Sequence, residues 1–336
     1  MSSSESEPPR SGLTVAVTGP TGEIGISAVD ALERDPAVER IVGMARRPFD
    51  PAAHGWTKTS YHQGDILDRD AVDALVADAD VVVHLAFIVL GTREESQRVN
   101  VAGTRNVFEA TVAGRRPRRL VYTSSVAAYG YHSDNKVPLT EDTPLRGSAE
   151  HYYSEQKAAC EEVLAEVTAG SSLEVFVLRP CIVAGPKATA LADALPWSHL
   201  PGVLRSATAA VPLLKPLFPD PGTPLQLVHH EDVAAAIALA ATTSAPPGAY
   251  NLAGDGQVSL SELAGALGAR PVRVPAVSAT LASFVVARVP FLPSSAEWLH
   301  AVRTSVVMDI GKARSVLGWT PRYTAAETLQ AMASAL

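Results

Sequence analysis

Cysteine is scarce in this chain of 336 residues, which holds only Cys160 and Cys181. Their spacing fits no metal motif, and two thiols suit a reducing compartment, so a cytoplasmic location is expected. Basic charge is also short. Lys and Arg total 28 against 35 Asp and Glu, a formal charge of −7 with an isoelectric point near 5.7. Nucleic acid or an anionic membrane needs a basic face, so neither is an expected partner. Long apolar runs are missing. A spanning helix needs roughly eighteen or more apolar residues in succession. The closest stretch, residues 274–293, is cut by Pro275, Arg288 and Pro290. Residues 1–11 are rich in Ser, Glu and Pro without an apolar run, and read as a disordered tail rather than a signal peptide. The length is enough for a full core in one larger domain with a smaller lobe.

The first half alternates short β-branched runs with helical patterns. Strands are expected at Leu13–Thr18, 40–45, 81–87, 120–124 and 173–178, and helices up to about Arg34 and over 96–113 and 150–168. The run Val81-Val82-Val83-His84-Leu85-Ala86-Phe87 is continuously apolar, as a parallel strand covered on both faces should be. This alternation predicts an α/β fold: a doubly wound parallel sheet with a smaller, partly irregular C-terminal substrate lobe. The expected boundaries are a tail over 1–11, a dinucleotide-binding domain over 12–186, a lobe built from 187–224 and 255–336, and a return to the main core over 225–254. Within that return lie a helix through Ala241 and a strand over 249–252. Ser259, with Glu262 three residues on, marks the start of a further helix over 259–267.

Between the first strand and first helix stands Gly19-Pro20-Thr21-Gly22-Glu23-Ile24-Gly25. Glycine admits positive φ and a close approach to phosphate, and the helix N-terminus offers unpaired N–H groups with a partial positive charge. The spacing alone also fits an ordinary tight turn; the surrounding βαβ alternation favours a pyrophosphate cradle. The second strand ends in Arg46-Arg47 without an acid. An acid there would accept from a ribose 2′-hydroxyl, whereas arginines clamp a 2′-phosphate. NADP(H) is therefore the expected cofactor, with NAD(H) as the alternative. Asp65, in Gly64-Asp65-Ile66-Leu67-Asp68, could accept from an adenine amino group, although a carboxylate in this segment could equally cap the next helix.

Tyr153 and Lys157 are four apart on a predicted helix and so share a face. A phenol near pKa 10 is a poor acid or base at neutral pH, and a neighbouring cation is expected to lower that value. Ser125, in Thr123-Ser124-Ser125, lies at the C-terminal end of a strand, where open α/β sheets bind their ligands. Tyr152 has Gln156 four residues on and cannot form the same pair. His84, His229 and His230 read as structural strand-end residues, and no metal is expected.

With these motifs in this order the chain resembles the extended short-chain dehydrogenases/reductases, the broad NAD-dependent epimerase/dehydratase family. The likeness runs from Leu13 to about Leu329. It includes His84-Leu85-Ala86, Asn100-Val101-Ala102-Gly103-Thr104, Tyr129-Gly130, Arg179-Pro180, Gly185-Pro186, His229 to Ala234, Tyr250-Asn251-Leu252 and Leu317 to Pro321. It implies Tyr153 as proton donor and acceptor, and Lys157 as the group that lowers its pKa and holds the ribose. Ser125 would orient the substrate oxygen, and Asn100 would hold its helix or a water near Lys157. Leu85 and Ala86 would line the cofactor's path, with Ile66, Pro180 and Ile182 completing that site.

Some positions depart from the family pattern. Ser125-Val126-Ala127 replaces the Thr-Asp-Glu of the dehydratases, which disfavours water elimination. Ile182 and Leu225 stand where sugar-nucleotide epimerases place an Asn and a diphosphate-gripping Arg, leaving Arg303 as a lone alternative. The apolar segment 187–224 suits a less polar carbonyl or alcohol. The leading expectation is an NADP-linked ketoreductase or alcohol dehydrogenase. A sugar-nucleotide epimerase with tightly held NAD is the first alternative, and a non-catalytic nucleotide-binding protein the second. A small-molecule substrate is the expected partner, with room for a homodimer.

Overall fold

The computed structural model describes residues 12–89, 91–188, 215–220, 222–274 and 304–335. The expected tail, most of the 187–224 segment with Trp197 and His199, and residues 275–303 with Arg303 lie outside these.

Seven parallel strands form one sheet in the order β11-β6-β5-β4-β1-β2-β3. They are β1 (Leu13–Thr18), β2 (Val38–Ala45), β3 (Thr59–Gln63), β4 (Val81–His84), β5 (Arg119–Thr123), β6 (Glu174–Pro180) and β11 (Gly248–Leu252). Successive side chains of a strand enter opposite faces. Val15, Val17, Val81, Val83 and Val121 accordingly join one buried cluster, while Ala16, Val82, Leu120 and Tyr122 join a second. The first cluster is closed by α1 (Glu23–Arg34) and α6 (His230–Thr242), the second by α2 (Arg69–Val76), α4 (Thr104–Ala113) and α5 (Tyr152–Thr168). Cover on both faces explains why β4 opens with three valines and is wholly buried. Strand order reverses between β1 and β4, and the carboxyl ends of those strands open the crevice where such sheets bind ligands.

Several boundaries differ from the sequence expectation. β2 begins two residues early, because Val38 pairs with Leu13 and is buried in the first cluster. β4 stops at His84 rather than Phe87. There the chain turns so that Ala86 can pass Gly19, where an added Cβ would lie 2.8 Å from the Ala86 nitrogen. The helix expected over 96–113 begins earlier, with α3 (Arg93–Gln97), and reaches α4 through a π-helical turn, Arg98–Gly103. The helix expected from residue 150 begins at Tyr152, after His151 caps it by accepting from the Ser154 N–H.

Beyond β6 the described chain forms three two-stranded ladders: β7 (Ile182–Ala184) with β10 (Leu227–His229), β9 (Pro224–Leu225) with β12 (Val258–Ser259), and β8 (Leu217–Asp220) with β13 (Arg270–Arg273). Helices α7 (Leu260–Ala266) and α8 (Ala325–Ser334) pack beside them, and each opens with a capping box, Ser259/Glu262 and Thr324/Glu327. The chain returns to the main sheet at β11, which pairs with β6.

Candidate active site

The glycine turn shows three different reasons for glycine. Gly19 has φ +73°. A Cβ on Gly25 would sit 2.1 Å from the Gly19 carbonyl oxygen, so Gly25 lets α1 start against the turn. Gly22 is different: its φ is −79°, and a Cβ there would meet only the Gly19 oxygen at an ordinary 3.6 Å. No described neighbour requires glycine at that place. Gly22 is the N-cap of α1 and no side chain caps the helix, so the first-turn N–H groups face the crevice. These features fit a dinucleotide pyrophosphate. Thr21, Glu23 and Ile24 complete the turn and are half-buried.

Arg46 and Arg47 follow β2 as exposed side chains, and neither joins an ion pair among the described residues. Their backbone is held: Gln63 Nε2 donates to the Arg46 carbonyl at 3.0 Å, and the Tyr61 hydroxyl donates to the Arg47 carbonyl. Asp65 turns its carboxylate to the Leu67 N–H at 3.0 Å, while Asp68 caps α2 through the N–H groups of Asp70 and Ala71. Ile66 is buried against Gly103. Leu85 and Ala86 lie at the end of β4, and their N–H groups both reach Thr18 Oγ1 at 3.3 Å.

Ser125, Tyr153 and Lys157 come together at the ends of β5 and α5. Ser125 is buried, accepts from the Ala127 N–H at 3.2 Å, and hydrogen-bonds the Tyr153 phenol. Lys157 is buried, with Nζ donating to the Thr123 carbonyl at 2.9 Å. One expectation is corrected here. Burial pushes the Tyr153 phenol above its ordinary value, and the hydrogen bond from Ser125 only partly offsets it. The ammonium lies 5.9 Å from the Tyr153 ring centroid and is directed to Thr123 and to Phe87, so it does not lower the phenol. Burial also brings Lys157 down to about 8.

Residues 15–253 match the profile of the NAD dependent epimerase/dehydratase family. The chain belongs to that family. It is 30% identical over 209 residues to a UDP-glucose 4-epimerase of Lactobacillus helveticus, covering 58% of this chain and 60% of that protein. It is 33% identical over 193 residues to human 3 beta-hydroxysteroid dehydrogenase type 7, covering 52% and 51%. The chain thus spans about half to three-fifths of the length of these relatives. Among solved structures, gox2253 superposes with a TM-score of 0.73 at 23% identity, over 96% of this chain and 97% of that one. WbmH of Bordetella bronchiseptica, solved with NAD+, superposes with a TM-score of 0.71 at 20% identity, over 96% and 98%. At these identities the superpositions show the shared fold.

In this family member Asn100 does not reach Lys157 through its side chain. Its Oδ1 accepts from the Ile88 N–H at 2.7 Å, and its Nδ2 donates to the Ile88 carbonyl and to Gln156 Oε1. Tyr152 donates to the carbonyls of Val89 and Gly91. Pro180 ends β6, and Ile182 packs with Leu225 in an apolar cluster that also holds Leu227, Val258, Leu260 and Leu263. His84 is a satisfied core residue between Thr18 and Thr104, held down to about 3 by burial and by Lys157. His230 bonds Ser27 at 2.9 Å and, mainly through burial, falls to about 4. No group of three His, Cys, Asp or Glu fit for a metal occurs among the described residues.

Two parts of the site were missed from sequence. Phe87 looked like the end of a strand, but its ring lies beside Tyr153 and under Lys157. Glu161 belongs to no motif in the sequence; it is buried against Arg179 at 2.6 Å and accepts from Ser124 Oγ at 2.5 Å. The pairing of Arg179 on β6 with an acid 18 residues away on α5 leaves no local signal.

Proposed function

We propose that this chain is an NADP(H)-linked reductase or dehydrogenase that acts on an uncharged, partly apolar carbonyl or alcohol. The observation that carries the cofactor choice is the exposed, backbone-anchored pair Arg46-Arg47 at the end of β2, where an NAD site would hold a carboxylate. The nicotinamide, when bound, supplies or accepts the hydride. The first turn of α1 and Gly22 bind the pyrophosphate, and Arg46 and Arg47 take the 2′-phosphate with charge-assisted bonds. Ser125 orients the substrate oxygen, and Tyr153 transfers the proton to or from it. Lys157, holding its proton at neutral pH, donates to the ribose. Residues 187–224 and 255–336 are the proposed substrate lobe. The apolar setting of Ile182 and Leu225 supports an uncharged substrate, since the described residues of that cluster offer a diphosphate no bidentate partner. The cytoplasm is the proposed location.

Calorimetric titration tests the cofactor assignment. NADP(H) should bind at least about tenfold more tightly than NAD(H), roughly 1.4 kcal/mol. The double substitution Arg46→Ala, Arg47→Ala should remove most of that difference and leave NAD affinity nearly unchanged. Equal affinities in the unaltered chain would sink the assignment.

The second reading is a sugar-nucleotide epimerase, supported by the match to the Lactobacillus enzyme. Stoichiometric oxidation of external NADPH against a panel of ketones separates the two, because an epimerase leaves bulk nicotinamide unchanged. A binding-only protein is disfavoured by the convergence of Ser125, Tyr153 and Lys157.

A further inference from the structure

Helix α5 carries two i, i+4 pairs side by side. Tyr153 and Lys157 hold the chemistry. Tyr152 and Gln156 hold the segment that follows β4: Tyr152 bonds the carbonyls of Val89 and Gly91, and Gln156 bonds Asn100, which clamps both backbone groups of Ile88. Gln156 is tied further to Ser96 Oγ at 3.0 Å. Phe87 precedes Ile88 in the same segment. Lys157 Nζ lies 3.7 Å from its ring centroid, and the Tyr153 ring meets it edge-on at 5.5 Å and 81°. Phe87 itself is half-buried against the second core cluster.

We propose that Phe87 is a positioning residue, whose ring face holds the Lys157 ammonium and whose contact with Tyr153 fixes the spacing of the working pair. The proposal rests on Tyr153 and Lys157 being that pair. A desolvated cation is attracted to the electron-rich face of an aromatic ring. Lys157 needs such a partner. Its only hydrogen bond among the described residues goes to Thr123, and burial favours the neutral amine. The ionisable groups facing it are Tyr153, Cys160 and Glu161 on its own helix, His84 on β4 and Tyr122 on β5. His84 is neutral, and Glu161 is already paired with Arg179. The ring of Phe87 is the nearest aromatic face to the charge, with Tyr122 at 5.3 Å.

The test titrates Lys157 directly, by NMR of the full chain carrying lysine labelled with carbon-13 at Cε. The signal is assigned by its loss in Lys157→Met. Three changes at position 87 are compared: 3,4,5-trifluorophenylalanine, which keeps the shape and weakens the π face, Phe87→Leu and Phe87→Trp. The fluorinated ring and leucine should each move the midpoint down by about one pH unit, a tenfold change in the amine-to-ammonium ratio, and tryptophan should keep it. An unchanged midpoint in the fluorinated variant, whose packing is preserved, would overturn the proposal. NADPH titration separates this result from the functional reading. If the midpoint shifts as expected yet Lys157→Met binds NADPH as tightly as the unaltered chain, Phe87 holds the lysine but the ribose role of Lys157 fails.

Discussion

At Lys157 burial and function oppose each other. Burial lowers the folded-state value to about 8 from an ordinary 10.5. Between those values the unfolded chain keeps the proton that the folded chain has released, so stability rises with pH across the window. Below about 8 both states are charged and the full cost of the buried ammonium is present. Lys157→Met should therefore stabilise the fold at pH 7 by roughly 1–3 kcal/mol, with the difference shrinking toward pH 10. Urea denaturation at the two pH values checks this. Turnover should move the other way, falling as pH rises through about 8 and the ammonium is lost. Tyr153 carries a separate expectation. In the proposed mechanism its hydroxyl moves the proton and contributes little to holding the dinucleotide. Tyr153→Phe should abolish turnover and leave cofactor affinity within a few-fold, as read by single-turnover kinetics and fluorescence titration. Near-normal turnover in that variant would require another acid.

The turn between β1 and α1 lets a structural glycine be told from one proposed to face the dinucleotide. A methyl group on Gly25 would overlap the Gly19 carbonyl, so Gly25→Ala must push α1 off the turn. It should cost about 1–3 kcal/mol of stability together with cofactor binding. Gly22 has extended backbone and room for a Cβ at ordinary contact with the Gly19 oxygen. Gly22→Ala should change stability by less than about 1 kcal/mol, a weaker N-cap, and still lose at least about tenfold in dinucleotide affinity. Thermal melts and calorimetry on the two variants separate the effects; equal destabilisation would refute the distinction. Most of this element was legible in the sequence, because a strand, a glycine turn and an amphipathic helix each have a local signature. The π-helical turn at Arg98–Gly103 was not, since an apolar stripe does not distinguish one widened turn within a helix. The short β4 was not legible either. The apolar run continues to Phe87, and only the approach of Gly19 to Ala86 shows why the strand must end.

For the molecule as a whole, the parallel sheet, its crevice and the Ser125, Tyr153 and Lys157 set follow from patterns within short windows of sequence. The partners that join distant segments do not. Glu161 to Arg179, Ser27 to His230 and Trp56 to Asp30 are set by tertiary placement alone. Substrate class depends on the same long-range arrangement, and here the buried cluster around Leu225 makes the expectation. UDP-glucose and UDP-galactose should bind weakly or not at all to cofactor-loaded protein in saturation-transfer NMR. Clear binding with interconversion of the two sugars would favour the epimerase.

The buried Arg179 network has a consequence for how such a protein can change. Arg179 joins Glu161 on α5 to Tyr129, and Tyr129 passes the connection to Asn251 on β11. Asn251 in turn donates to the carbonyls of Leu139 and Asp309. The strand end and the helix that carry Ser125 and Tyr153 are thereby tied from beneath to residue 309, inside the proposed lobe. Segments of the lobe can be exchanged for those of a relative, and the proton-transfer geometry should survive the graft where the stretch bearing Asp309 is kept.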